Sequence, residues 1–185
     1  MGQQFTRYIN GNPHLGAQIV GATNRGENNL SLAREEYGLS VSHELEDLLH
    51  LGLDFVLIAS TSVAHPGQVV AAAKAGCHIF CEKPVALTLE ETNRMIAAVE
   101  DAGVITVVNY ISRFNPGYQE LHRLSTTGEL GRLLSIGHSR IRGYGLYGSG
   151  ARHRAVMEPE ESGGWTVHHA CHDTDLLYWI GGPVR

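Results

Sequence analysis

Short apolar runs alternate with segments of helical spacing through the first two-thirds of the chain. Residues 17–22 read as a short strand, and 29–37 as a helix with Leu30, Leu32 and Ala33 on its apolar side and Gly38 at its end. A brief strand is expected at Val41. A second helix is expected over 42–51, capped by Ser42, with Glu44 and Glu46 suited to its positive first turn. The run Phe55-Val56-Leu57-Ile58-Ala59-Ser60 is apolar throughout, the pattern of a central parallel strand. A small-residue helix over 67–75 ends at Gly76. The run His78-Ile79-Phe80-Cys81 then forms a strand that must stop near Lys83, because Pro84 lacks an N–H and restricts its predecessor. A longer helix over 88–102 is capped by Thr88, with Glu90 and Glu91 in its first turn, and 104–108 forms another strand. Strands alternating with helices imply a parallel sheet joined by right-handed crossovers.

The pattern then changes. A helix over 116–124 is broken by Gly128 and Gly131, and 133–141 alternates loosely, like a strand of an antiparallel sheet. Residues 143–161 read as a surface loop bordering a site. Gly163-Gly164 leads into a last helix over 165–180 that stops at Gly181-Gly182-Pro183. The expected architecture is α/β: a parallel sheet with crossover helices, followed by a segment of different pattern.

The length of 185 residues suits one domain with part of a second, and 43% hydrophobic residues suit a globule. A formal charge of −5 argues against a nucleic-acid surface, which needs clustered Lys and Arg. No apolar run approaches the roughly 18 residues of a membrane span, and the N-terminus has no signal pattern. Three cysteines, Cys77, Cys81 and Cys171, read as reduced thiols, hence a cytoplasmic location.

Candidate chemistry lies at two places. Lys83 ends a buried strand, at the sheet edge where open α/β folds bind ligands. On the last helix, His168, His172, Asp175 and Trp179 are spaced four, three and four apart, on one face. Val167, Ala170, Cys171, Thr174 and Tyr178 form a less polar adjacent face, while His169 and Asp173 fall elsewhere. Asn24-Arg25 follows the strand at 17–22. An acid there would suit the ribose diol of NAD, whereas a nearby Arg accommodates a 2′-phosphate, so the pair leans towards NADP.

Several pieces, in order, carry a resemblance. They are the strand at 55–60, Cys81-Glu82-Lys83-Pro84 preceded by Ala75-Gly76-Cys77-His78, Arg113-Phe114-Asn115-Pro116, and Gly163-Gly164 with His172 and Asp175. Together they resemble the Gfo/Idh/MocA oxidoreductases, NAD(P)-dependent sugar and polyol dehydrogenases. The resemblance implies an α/β fold, with an incomplete Rossmann, doubly wound parallel sheet over 1–110 followed by the start of an α+β substrate domain over 111–185, and hydride transfer between a sugar or inositol-like polyol hydroxyl and NAD(P). Lys83, whose peptide to Pro84 is often cis in the family, would polarise the reacting oxygen, and His172 would take the hydroxyl proton. It places Ser60, Thr61, Ser62 and His65 in the loop under the cofactor, Glu82 near the nicotinamide ribose, and Asn109 within reach of the carboxamide or substrate. Asn24 and Arg25 join this cofactor set. His168 and Asp175 join Lys83 as substrate contacts, with Asp175 also able to orient His172. Arg113 and Tyr110 are weaker candidates, as surface or inter-domain contacts. The family pattern Asp-x-x-x-His-x-x-Asp meets His168 where most relatives carry an acid, which puts the substrate class and the activity in question.

No G-x-G-x-x-G loop occurs, and Met1-Gly2 followed by 3–9 resembles its last glycine and the helix after it. The expectation is that the first strand lies upstream, that the sheet has an open edge there, and that pyrophosphate binding is weak. A homo-oligomer of the full-length form is also expected. Two other readings stay open. One is a non-catalytic or inactive truncated relative; the other is metal binding through the His168–His172 cluster, with no metal favoured.

Overall fold

The computed structural model describes residues 1–141, 158–164 and 166–183. The first helix, α1, spans Gly2–Asn10, where the sequence suggested one. Then come β1 (Gly21–Thr23), α2 (Glu27–Tyr37), β2 (Ser40–Ser42), α3 (Glu46–Leu49), β3 (Phe55–Ile58), α4 (His65–Lys74), β4 (His78–Cys81), α5 (Leu89–Ala102), β5 (Thr106–Val108) and α6 (Pro116–Thr127). A short helix at Pro159–Ser162, a π-helical turn at Thr166–Ala170 and a last helix at Cys171–Gly181 complete the described elements.

The strands form parallel α/β sheets. β1 pairs with β2 in parallel, Gly21 opposite Ser40. β3 pairs with β4 in parallel, Phe55 opposite His78 and Ile58 opposite Cys81, in a three-stranded sheet of order β3-β4-β5. Cα proximity divides the chain into two units: Met1–Ser60, Ala64–Cys81 and Asn93–Val107 in the first; Thr61–Val63, Glu82–Thr92 and Val108–Arg185 in the second.

In the first unit, Val56, Ile58, Ile79 and Cys81 are buried, as is the Val69, Ala72 and Ala73 face of α4, which packs on β3 and β4. Small residues let that helix approach the strands closely. In the second unit α6 packs on the last helix, and Leu176 is 2% exposed. Burying such a leucine contributes about 2–3 kcal/mol.

Three local expectations change. The helix over 42–51 shortens to Glu46–Leu49, since Ser42 belongs to β2. Its hydroxyl donates to Asp47 and accepts from the Glu44 amide instead of capping a helix. Residues 133–141 form no strand; Leu133 and Ile136 lie against Gly181, and Leu134 and Ile141 stay exposed. An alternating run needs a partner strand to hold a ladder, and none pairs with it among the described residues. Of the surface loop at 143–161, residues 143–157 lie outside the described residues and Pro159–Ser162 is helical. Trp165, the expected start of the last helix, also lies outside them.

Thr88 does cap α5: its Oγ1 accepts from the Glu91 amide at 3.1 Å, and the Glu91 carboxylate accepts from the Leu87 amide at 3.3 Å. Gly163 has φ +75°, and a Cβ there would stand 2.6 Å from Val167 Cβ. Only glycine fits that turn, and the turn delivers the segment bearing His168. No helix among the described residues is long and apolar enough to cross a membrane.

Candidate active site

The site in the second unit is assembled from the segment after β4, the start of the segment after β5, and the last helix with its π turn. The Lys83–Pro84 peptide is cis. Glu82 is 8% exposed, and its carboxylate accepts from Asn109 Nδ2 at 2.7 Å and from the Lys83 amide at 3.2 Å. The sequence named both residues but not this bond between them. It ties the two segments that leave β4 and β5.

Lys83 Nζ donates to the His168 carbonyl oxygen at 3.0 Å and stands 3.5 Å from His168 Nε2. The Cys171 thiol donates to the same carbonyl at 3.5 Å. A π turn loosens the regular helical ladder, and such turns recur at functional sites. Here the turn holds the carbonyl that meets the ammonium.

His168 is half-buried, and its pKa is pushed down to about 4, first by burial, then by the charges of Lys83 and His172. His172 is lowered as well, by burial first, then by Lys83 and Arg140; Asp173 and Glu82 oppose the shift. The Nδ1 atoms of both imidazoles are buried without a hydrogen-bond partner among the described residues. Both rings are therefore neutral near pH 7. The Tyr110 ring meets His172 edge-on, with centroids 6.2 Å apart. Lys83, His168 and His172 thus belong to one compact unit rather than meeting from separate halves.

Asp175 does not turn to His172. Its two oxygens accept from Arg113, Nε at 2.9 Å and Nη2 at 2.5 Å. The Arg113 guanidinium also lies over Trp179, 5.4 Å from the ring centroid, and His122 stacks on Trp179 at 4.0 Å. Asp173 accepts from Arg140 at 2.7 Å and His138 at 2.9 Å. Sequence reasoning missed this last cluster; His138 and Arg140, two apart in the alternating run, were its only signal. His169 is buried. A cleft of about 440 Å³ opens beside Tyr110 along the face of Val167, Ala170, Cys171, Thr174 and Tyr178, with Asp175 at its margin.

The remaining candidates are distributed differently. Asn24, Arg25, Ser60 and His65 lie in the first unit, while Thr61 and Ser62 belong to the second. The Asn24 carboxamide oxygen accepts from the Gly26 amide at 2.9 Å and Asn29 Nδ2 at 3.1 Å, which fastens the turn after β1. Arg25 beside it is exposed. Ser60 donates to Gln68 at 2.6 Å, Ser62 is buried, and His65 is 1% exposed at the start of α4. Among the described residues no three His, Cys, Asp or Glu side chains are grouped as metal ligands, and His168 Nε2 faces an ammonium that would repel a cation.

A family model described as an oxidoreductase family with an NAD-binding Rossmann fold matches residues 1–110. The 2,7-anhydro-N-acetylneuraminate hydratase of Escherichia coli is 31% identical over 99% of this chain and 47% of its own length. The scyllo-inositol 2-dehydrogenase (NAD⁺) of Bacillus subtilis is 30% identical over 72% of this chain and 37% of its own length. Among solved structures, the WlbA dehydrogenase of Bordetella pertussis, in complex with NADH and UDP-GlcNAcA, is 29% identical, with a TM-score of 0.81 over 99% of this chain and 56% of that one. The chain spans about half the length of these relatives or less.

Proposed function

The chain belongs to the Gfo/Idh/MocA family of oxidoreductases, and from that premise we propose that it carries the hydroxyl-handling site of an NAD(P)-dependent sugar or polyol dehydrogenase. The observation that supports this reading is the grouping of one ammonium, Lys83, with two neutral imidazoles, His168 and His172, in one unit.

The chemistry asked of these residues is proton management. As a carbinol C–H bond breaks with its electron pair, the O–H proton passes to His172 and a carbonyl forms. Lys83 stabilises the charge that develops on the oxygen meanwhile. A neutral imidazole is the form that can accept a proton, and the burial and cationic neighbours of His172 keep it in that form. The cofactor, when bound, supplies or receives the hydride. The donor set fits one: Arg25 is an exposed cation at the carboxyl end of β1, suited to a 2′-phosphate, so we favour NADP over NAD. Ser60, Thr61, Ser62, His65, Glu82 and Asn109 complete the proposed cofactor set, and His168 and Asp175 the substrate set. Relatives named for inositol and for an N-acetylneuraminate derivative support a polyhydroxylated substrate.

The test is formation of reduced cofactor by the protein with a panel of inositols, aldoses and sugar acids, using NAD⁺ and NADP⁺ in turn. Turnover lost by at least about 100-fold in Lys83→Met and His172→Gln supports the reading. Turnover unchanged in both variants overturns it, and no turnover with any pair favours a non-catalytic relative. A preference for NADP⁺ that vanishes in Arg25→Ala supports the cofactor assignment; a preference for NAD⁺ refutes it.

A further inference from the structure

Resting on that reading, and adding to it, we infer that Asn109 is a positioning residue for Lys83: through the Glu82 carboxylate it fixes the backbone from which the ammonium extends.

The first ground is a continuous chain of bonds. Asn109 is the central residue of a three-residue turn, in which the Tyr110 amide donates to the Val108 carbonyl oxygen at 2.8 Å. Its Nδ2 donates to Glu82 Oε1 at 2.7 Å, and the Lys83 amide donates to Oε2 of the same carboxylate at 3.2 Å. One carboxylate therefore bridges the turn after β5 and the peptide group of Lys83. At its far end, Lys83 donates through Nζ to the His168 carbonyl oxygen at 3.0 Å. The residue is thus held twice, its root by Glu82 and its tip by the π turn.

The second ground is the chemistry of a buried pair. Glu82 is 8% exposed and Asn109 is 9% exposed. A carboxylate away from water needs hydrogen-bond donors. A carboxamide supplies one without adding a charge, and because an ionised carboxylate only accepts, the amide must turn its nitrogen to it. Lysine carries its ammonium on a flexible stem. An ammonium that stabilises charge on a reacting oxygen is most effective when its position is set beforehand. This role is separate from the cofactor contacts proposed for Glu82 and Asn109.

NMR of the Lys83 ammonium in the cofactor-free protein, alongside turnover, tests this. In Asn109→Ala the order of that ammonium should fall, and turnover should drop at least about tenfold. Asn109→Asp keeps the size but sets two carboxylates together. Lys83 should then be loose at pH 8 and ordered again at pH 5, where one shared proton restores the bond. Neither a ligand contact nor a merely structural role gives that reversal. An ammonium as ordered in Asn109→Ala as in the unaltered protein overturns the inference, and so does an Asn109→Asp variant in which Lys83 does not respond to pH. If Asn109→Ala fails to fold, the Asp variant decides. Absence of turnover in the unaltered protein counts against the dehydrogenase reading, while the spectra still decide what places Lys83.

Discussion

Lys83 and His168 meet twice, ammonium to carbonyl oxygen at 3.0 Å and ammonium to Nε2 at 3.5 Å. A nitrogen that faces an ammonium keeps its lone pair towards it, so the neutral His168 ring carries its proton on Nδ1. That Nδ1 is buried and has no acceptor among the described residues. Protonating the ring would place a charge out of water first, and beside Lys83 second, so the ring resists it.

Replacing Lys83 by Met should therefore raise the pKa values of both His168 and His172, because its charge is the second cause of each depression. Burial is the first cause and remains, so both should stay below 6.5. Proton NMR titration of the two imidazoles reads this directly. Unmoved values would mean that Lys83 is not electrostatically coupled to the pair.

Folding stability should fall as the solution is acidified from pH 7 to pH 5. A ring with a folded pKa near 4 and an unfolded value of 6.5 binds its proton more readily once the chain unfolds. Its contribution is whole above pH 6.5, is lost as pH falls towards 4, and changes no further below that. Discounted for the exposed half of the ring, the loss is about 1–2 kcal/mol, and His172 adds to it in the same direction. Urea unfolding at pH 5 and 7 measures it. In His168→Gln the difference between the two pH values should shrink; a difference as large as in the unaltered chain would place its origin elsewhere.

The Arg113–Asp175 pair should respond asymmetrically to mutation. The Asp175 side chain is 8% exposed and that of Arg113 is 39% exposed. Arg113→Gln strands a carboxylate away from water and removes the contact over Trp179, a loss of about 2–3 kcal/mol. Asp175→Asn keeps an oxygen acceptor and leaves a guanidinium that can turn to solvent, a loss of about 1 kcal/mol. Chemical denaturation of the two variants gives the order, and a larger loss for Asp175→Asn would contradict it.

The alternating strands and helices up to Val108, the stop at Pro84 and the Thr88 cap could be read from the sequence, because each depends on neighbours a few positions away. So could the candidacy of Lys83 and His172, one at a strand end and one on a helix face. The single face expected for His168, His172, Asp175 and Trp179 divides in the structure. The first two turn to the region of Lys83, while Asp175 and Trp179 engage Arg113. That split follows from the π turn and from partners some 60 to 90 residues away in the chain.

Periodicity and punctuation are local properties, so they mark most helices and strands of the sheet region and the residue types available for chemistry. The pairing of Glu82 with Asn109, of Asp175 with Arg113 rather than His172, and of His168 with an ammonium comes from the fold. Those pairings follow from how segments pack across long stretches of chain. A polar group out of water takes whichever partner the packing brings within about 3 Å.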